Sequence, residues 1–234
     1  MDIIKTLSPN YNERKNRADP SYLILHYTGT LTAEEARSAY LDVEYELSPH
    51  YMIEVDGKVT QFVEEGARAW HAGKSFWDGH EDMNSQSIGI EIVNGGHANG
   101  SPEFPAAQID AVIELCQGIV KRNNITPMNV LGHSDIAPGR KFDPGELFPW
   151  EYLAQNGVGY WPDLIESGPD VSNLGVRTGL SQLGYTTDCE DVSLVREFQR
   201  HYEPELFSKN KQGQVSERTH ALISCLLKEK QKKI

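Results

Sequence analysis

The chain has 234 residues, 38% of them hydrophobic and 24% charged, and a formal net charge of -12. That length allows one sizeable core plus a smaller second unit, and the acidic balance argues against a nucleic-acid partner and against an anionic membrane surface. Cys116, Cys189 and Cys225 are too scattered for a disulfide framework or a metal clip, and no transmembrane segment or secretory signal is visible.

Met1 to Pro20 mixes charge and polarity and reads as an irregular lead-in. Tyr22 to Tyr27 is a run of strand formers, a central strand that ends at His26. Thr32 caps a helix that runs to about Leu41, and Glu35 completes a capping box. His50–Val55 and Lys58–Val63 flank Asp56-Gly57, which signals a hairpin. A polar loop through Trp77, His80 and Asn84 follows Ala69-Trp70-His71-Ala72-Gly73. Ser87 to Val93 is another strand, with Ile88, Ile90 and Ile92 on one face and Glu91 on the other.

From Ala106 to about Arg122 the apolar residues Ile109, Val112, Ile113, Cys116, Ile119 and Val120 form a helical stripe that covers a sheet face. Asn129 to Leu131 reads as a short buried strand that runs out at His133. Gly132 to Gly145, held by Pro138, Gly139, Pro144 and Gly145, is expected to be a shaped loop rather than a helix. Pro149 opens one more helix. The texture changes around Gly157 to Asp163, dividing the chain into residues 1–160 and a small helical unit, 161–234. That unit contains the patterns Val176–Leu183, Val192–Tyr202 and Glu217–Leu227 and has too thin a core to stand without docking on the first. The basic tail Lys228–Ile234 is expected to fray.

His26, Glu91 and His133 all fall at strand ends, where mixed and parallel sheets place ligands. Two imidazoles and a carboxylate suit a catalytic zinc, which leaves one position open for water. Two residues compete for the carboxylate. Asp135 shares the face of His133 if the strand continues, and Asp143 reaches the metal if the Pro/Gly loop folds back. Glu91 is placed to act as general base for an activated water, and Lys141 to stabilise an oxyanion. Tyr27, Trp70, His71 and Asn84 are candidate substrate contacts. His50 is assigned to packing in the hairpin, and His80, His97, His201 and His220 to the surface.

The segments Leu25-His26-Tyr27-Thr28, Ser48-Pro49-His50-Tyr51, Ala69 to Gly73, Ser87 to Glu91 and Gly132 to Gly145 together resemble the AmpD/AmiD group of zinc N-acetylmuramoyl-L-alanine amidases. The resemblance spans about Tyr22 to Asp163. It implies an α/β fold with a mixed central sheet flanked by helices. It also implies a zinc at the positions of His26, His133 and Asp143, with Glu91 as base and Lys141 as transition-state stabiliser. The reaction implied is hydrolysis of the amide between N-acetylmuramic acid, or its 1,6-anhydro form, and L-Ala of peptidoglycan or muropeptides. Leu183-Gly184-Tyr185 and Val195 to Gln199 resemble a small peptidoglycan-binding helical domain, although its Asp-Gly turn is here Lys211-Gln212-Gly213.

The alternative is a non-catalytic peptidoglycan receptor on the same fold, but receptors of that kind typically lose a zinc ligand. A serine hydrolase lacks its Gly-x-Ser-x-Gly elbow here. A monomer is expected. The expected location is the cytoplasm if Met1 is the native start, with the periplasm or cell envelope as the alternative.

Overall fold

The structure is a computed structural model describing residues 1–17, 19–164 and 175–232. Residues 165–174 of the expected second unit and the last two residues of the expected frayed tail lie outside the described residues. In chain order the elements are β1 (Ile3–Lys5), β2 (Tyr11–Glu13), β3 (Tyr22–Tyr27), α1 (Ala33–Leu41), β4 (Tyr51–Ile53), β5 (Val59–Gln61), β6 (Ala67–Ala69), α2 (Met83–Gln86), β7 (Ser87–Ile92), α3 (Ala106–Arg122), β8 (Val130–Gly132), α4 (His133–Ile136), α5 (Trp150–Gln155), α6 (Val176–Leu183), α7 (Asp191–Tyr202), α8 (Glu205–Ser208) and α9 (Glu217–Gln231).

Six strands form one mixed sheet in the order β1-β5-β4-β7-β3-β8, and β2 pairs with β6 in a separate ribbon. β4, β7, β3 and β8 run parallel, while β5 folds back antiparallel on β4. This is the expected mixed sheet flanked by helices. The four parallel strands therefore end at one edge, and the loops that leave it converge.

The alternation of β7 sorts the two faces. Ile88, Ile90 and Ile92 join Leu23 and Leu25 of β3 in a core closed by α3 and α5. The stripe on α3 is buried as expected except for the partly buried Val120, and each of its fully buried aliphatic side chains contributes about 1.5–3 kcal/mol by leaving water. The opposite face carries Tyr22, Ile24 and His26 of β3 and Glu91 of β7. Tyr22 and Ile24 pack with Leu180, Leu183, Leu194, Phe198 and Leu222 of the C-terminal helices. α1 covers the hairpin end of the same face through Ala36, Tyr40, Met52 and Phe62. Its capping box forms: the Glu35 N–H donates to Thr32 Oγ1 at 3.2 Å, and Glu35 Oε2 accepts from the Thr32 N–H at 3.2 Å.

Three expectations change. The lead-in is not irregular throughout, because β1 adds to the sheet beside β5 and β2 pairs with Tyr11 opposite Ala69. The segment after β8 is not wholly a loop. His133–Ile136 makes one helical turn, started by the Asp135 carboxylate accepting the Gly132 N–H at 2.7 Å. The basic tail does not fray at Lys228, because α9 continues to Gln231, where lysines favour the negative end of the helix dipole.

Candidate metal centre and active site

Register brings the site together. His26 on β3 lies beside Glu91 on β7, and Leu25 lies beside Gly132 on β8, so His133 emerges next to His26. The loop after α4 then folds back, with the Ser134 N–H donating to the Asp143 carbonyl at 3.0 Å. That return carries the Asp143 side chain to the two imidazoles. His26 Nδ1, His133 Nδ1 and Asp143 Oδ2 form a triangle with sides of 2.9, 2.9 and 3.0 Å. All three residues are buried. Asp135, the rival carboxylate, turns away because the strand does not continue.

The donor chemistry fits a divalent metal. Each histidine spends its outer nitrogen on a partner inside the protein: His133 Nε2 lies 3.0 Å from the Ala72 carbonyl, and His26 Nε2 lies 3.0 Å from His71 Nδ1. If His133 Nε2 and His26 Nε2 carry the protons, both Nδ1 lone pairs face Asp143 Oδ2, an arrangement that a shared cation satisfies. The chain of tautomers continues from His71 Nε2 to Ser87 Oγ at 3.3 Å and from Ser87 Oγ to the Met83 carbonyl at 2.5 Å. Burial, reinforced by His133, lowers the His26 pKa to about 4, which keeps the imidazole neutral. Burial alone would raise the Asp143 carboxyl, but His133 and His26 override it and hold Asp143 well below the usual carboxylate range.

Glu91 has the opposite environment. Burial, together with the Asp143 charge, pushes its carboxyl well above the ordinary value, against the pull of Lys141. Its Oε2 has no hydrogen-bond partner among the described residues. A buried carboxyl of raised proton affinity beside three converging ligand atoms is a candidate proton-transfer group. Lys141 stands on the same returning loop and is half-buried.

Residues 16–146 match the N-acetylmuramoyl-L-alanine amidase family. The chain is 37% identical over 234 residues to the Escherichia coli N-acetylmuramoyl-L-alanine amidase AmiD, covering 88% of this chain and 81% of AmiD. The chain belongs to the N-acetylmuramoyl-L-alanine amidase family. It is an enzyme of this class rather than a receptor. The 1,6-anhydro-N-acetylmuramyl-L-alanine amidase AmpD of Haemophilus influenzae is 36% identical over 65% of this amidase and 91% of AmpD. Among solved structures, the complex of E. coli AmiD with anhydro-N-acetylmuramic acid-L-Ala-D-gamma-Glu-L-Lys superposes with a TM-score of 0.79 at 33% identity, over 91% of this chain and 90% of that one. Pseudomonas aeruginosa AmpDh3 with anhydromuramic pentapeptide gives 0.79 at 31% identity, over 96% and 95%.

The remaining site candidates of the amidase are placed unevenly. Tyr27 is at the rim, its hydroxyl 3.0 Å from His97 Nδ1. His71 is buried behind His26 rather than facing a cleft, and Asn84 Oδ1 accepts the N–H groups of His71 and Ala72 at 2.9 and 2.7 Å. Gly89 makes room for this arrangement, because a Cβ there would lie 2.4 Å from the His71 ring. Trp70 faces the β2 side, with its indole N–H on Asn12 Oδ1 at 3.1 Å. His50 is buried as expected, accepting the Gly89 N–H at 2.9 Å. His201, expected at the surface, is buried against Asp135. Among the described residues no helix is long and apolar enough to cross a membrane.

Proposed function

We propose that the amidase hydrolyses the amide joining N-acetylmuramic acid, or its 1,6-anhydro form, to the L-Ala of a peptidoglycan stem peptide, with zinc held by His26, His133 and Asp143. The observation that carries this reading is the triangle of two Nδ1 atoms and one carboxylate oxygen beside the unpartnered Glu91 Oε2. Zinc bound there supplies an acidified water and a polarised carbonyl. Glu91 takes a proton from the attacking water and delivers it to the leaving nitrogen as the C–N bond breaks, which yields a lactyl carboxylate and a free amine. Lys141 balances the negative charge that develops on the carbonyl oxygen. His71 and Asn84 serve the site from behind, by fixing the tautomer and ring angle of His26. Tyr27 lines the substrate side, and Trp70 stands further out beside the β2–β6 ribbon.

The substrates in the AmiD and AmpDh3 complexes, both anhydromuramyl peptides, support the choice of a muropeptide. We assign residues 1–160 to the catalytic unit and 161–234 to the appended helical unit. The test is mass spectrometry of products from an anhydromuramyl peptide and from sacculi. Release of free stem peptide that stops with a chelator and resumes with added zinc is expected. An unchanged substrate in the presence of zinc overturns the reading.

A further inference from the structure

Helix α7 lies lengthwise along the loop that bears Lys141 and Asp143. Its contacts recur at the spacing of one helix face, through Ser193, Arg196 and Arg200. Ser193 Cβ packs where a Cβ on Gly139 would stand 3.3 Å away, so the absence of a side chain there lets the helix approach. The guanidinium carbons of Arg196 and Arg200 lie 5.8 and 5.4 Å from the centre of the Phe142 ring. Arg200 also pairs with Glu146.

At the root of this loop is Asp135, which has no exposed surface. Its Oδ2 accepts the Gly132 N–H at 2.7 Å and lies 2.8 Å from His201 Nδ1, while its Oδ1 accepts the Tyr185 hydroxyl at 2.6 Å. Tyr185 follows α6 and His201 belongs to α7, so two of the three partners of this carboxylate come from the C-terminal helices. The His201 ring is itself clamped, stacked on Trp150 and Tyr202 with centroid separations of 3.9 and 4.0 Å. A buried carboxylate is costly unless its oxygens are satisfied. Here its satisfaction also fixes the first turn after β8, the turn from which His133 projects.

We propose that Tyr185 and His201 are positioning residues of the metal centre, holding Asp135 and, through it, the turn that aims His133 Nδ1 at His26 and Asp143. The C-terminal helices are then part of the metal-binding apparatus and not only an appended binding module. This inference rests on the zinc reading given above.

The test uses the full chain stripped of metal, with the zinc dissociation constant measured by competition against a chelating dye and melting followed in parallel. Tyr185→Phe and His201→Phe keep an aromatic ring at each position and remove the polar contact to Asp135. Each is expected to weaken zinc binding about 10-fold or more, within the ~10–100-fold range of supports behind metal ligands, and the double variant is expected to lose less than the product because both act on one carboxylate. His201→Asn, which restores an N–H near the Nδ1 position, is expected to recover most of the affinity. Ile119→Ala, buried in α3 on the opposite face of the sheet, is expected to lower the melting temperature and leave zinc affinity unchanged. Wild-type zinc affinity in cooperatively melting Tyr185→Phe and His201→Phe would overturn the proposal alone. A wild-type chain that takes up no zinc would instead sink the metal reading beneath it.

Discussion

Replacing Glu91 with Gln separates activity from stability in opposite directions. The amide keeps the shape of the carboxylate but can neither accept the proton of a water nor deliver it to a leaving nitrogen. Loss of general acid–base work lowers turnover by about 10²–10⁴-fold, or about 3–5 kcal/mol of barrier at ~1.36 kcal/mol per decade. Zinc content is expected to stay at the wild-type level, because Glu91 is not among the three converging ligand atoms.

Stability of the metal-free protein should move the other way. Burial raises the Glu91 carboxyl well above its ordinary value, so ionisation in the folded state works against folding. That contribution is fully favourable below the unfolded value of 4.5 and is lost as pH rises through the raised folded value. Above pH 4.5 the variant is therefore more stable than wild type, and the gap closes below it. A buried, unsatisfied polar group costs about 1–3 kcal/mol and more when charged; the amide removes only the excess for charge, so Glu91→Gln is expected to gain on the order of 1 kcal/mol at pH 8. At roughly 2–4 °C per kcal/mol for a chain of this size, the melting point rises by about 2 °C or more. Product release is followed by mass spectrometry and melting by calorimetry in chelator at pH 8 and pH 4. Turnover within threefold of wild type, or a lower melting point at pH 8, refutes the reasoning.

Three further predictions concern the supports of the site. Asp143→Asn removes the only anion of the ligand triangle and should weaken zinc binding by more than the ~10–100-fold typical of supporting residues, as read by dye competition. Gly89→Ala drives a Cβ to 2.4 Å from the His71 ring, so it should cost about 1–3 kcal/mol in denaturant unfolding and weaken zinc binding through His26. Gly66→Ala has no atom within 4 Å of the new Cβ and serves as the neutral control. Finally, His26 is held at about 4 by burial and His133, and His50 at about 3 by burial and Arg14. Both are neutral when folded and protonate more readily when unfolded, so their stabilisation is complete above the ordinary value of 6.5 and is lost as pH falls toward 4 and 3. The urea midpoint of metal-free protein should drop between pH 7 and pH 4, and His50→Gln should flatten that drop. A midpoint independent of pH in wild type counts against neutral buried imidazoles.

The site was legible in the sequence where it depends on strand periodicity. YLILHY and SIGIEI place His26 and Glu91 at strand ends, the Ile88–Ile90–Ile92 alternation puts Glu91 on the face away from the aliphatic core, and the pairing of the two strands as neighbours comes from the structure. Asp143 is not legible from spacing, because its arrival depends on how the loop turns back on itself, through hydrogen bonds such as those from Ser134 to Asp143 and from Arg140 and Lys141 to Ala137. Spacing leaves it level with Asp135, and only the family resemblance separates the two. β1 and β2 escaped because three-residue strands carry little periodicity and their partners lie more than fifty residues away. His201 escaped for a different reason. α7 buries Glu197, Gln199, Arg200 and His201 together, so one of its buried faces is polar and resembles a solvated face in a one-dimensional reading.

That polar burial follows from where the site had to be built. The face of the sheet that carries His26 and Glu91 cannot be sealed by an aliphatic helix, because an apolar cover over the ligand triangle would shut its polar atoms away from water and substrate. α1 and the C-terminal helices instead take the flanks of this face through Met52 and Ile24 and meet the strand-end edge with charged and hydrogen-bonding side chains. Arg200 meets Glu146 there, and Tyr185 and His201 meet Asp135. Glu91 is buried on this face, dry enough for its proton affinity to rise, and its Oε2 has no hydrogen-bond partner among the described residues. The opposite face needs no such arrangement, and α3 closes it with a plain aliphatic stripe. One strand, β7, thus provides three isoleucines to a core and one buried carboxyl to the candidate site through nothing more than the two-residue repeat of its side chains.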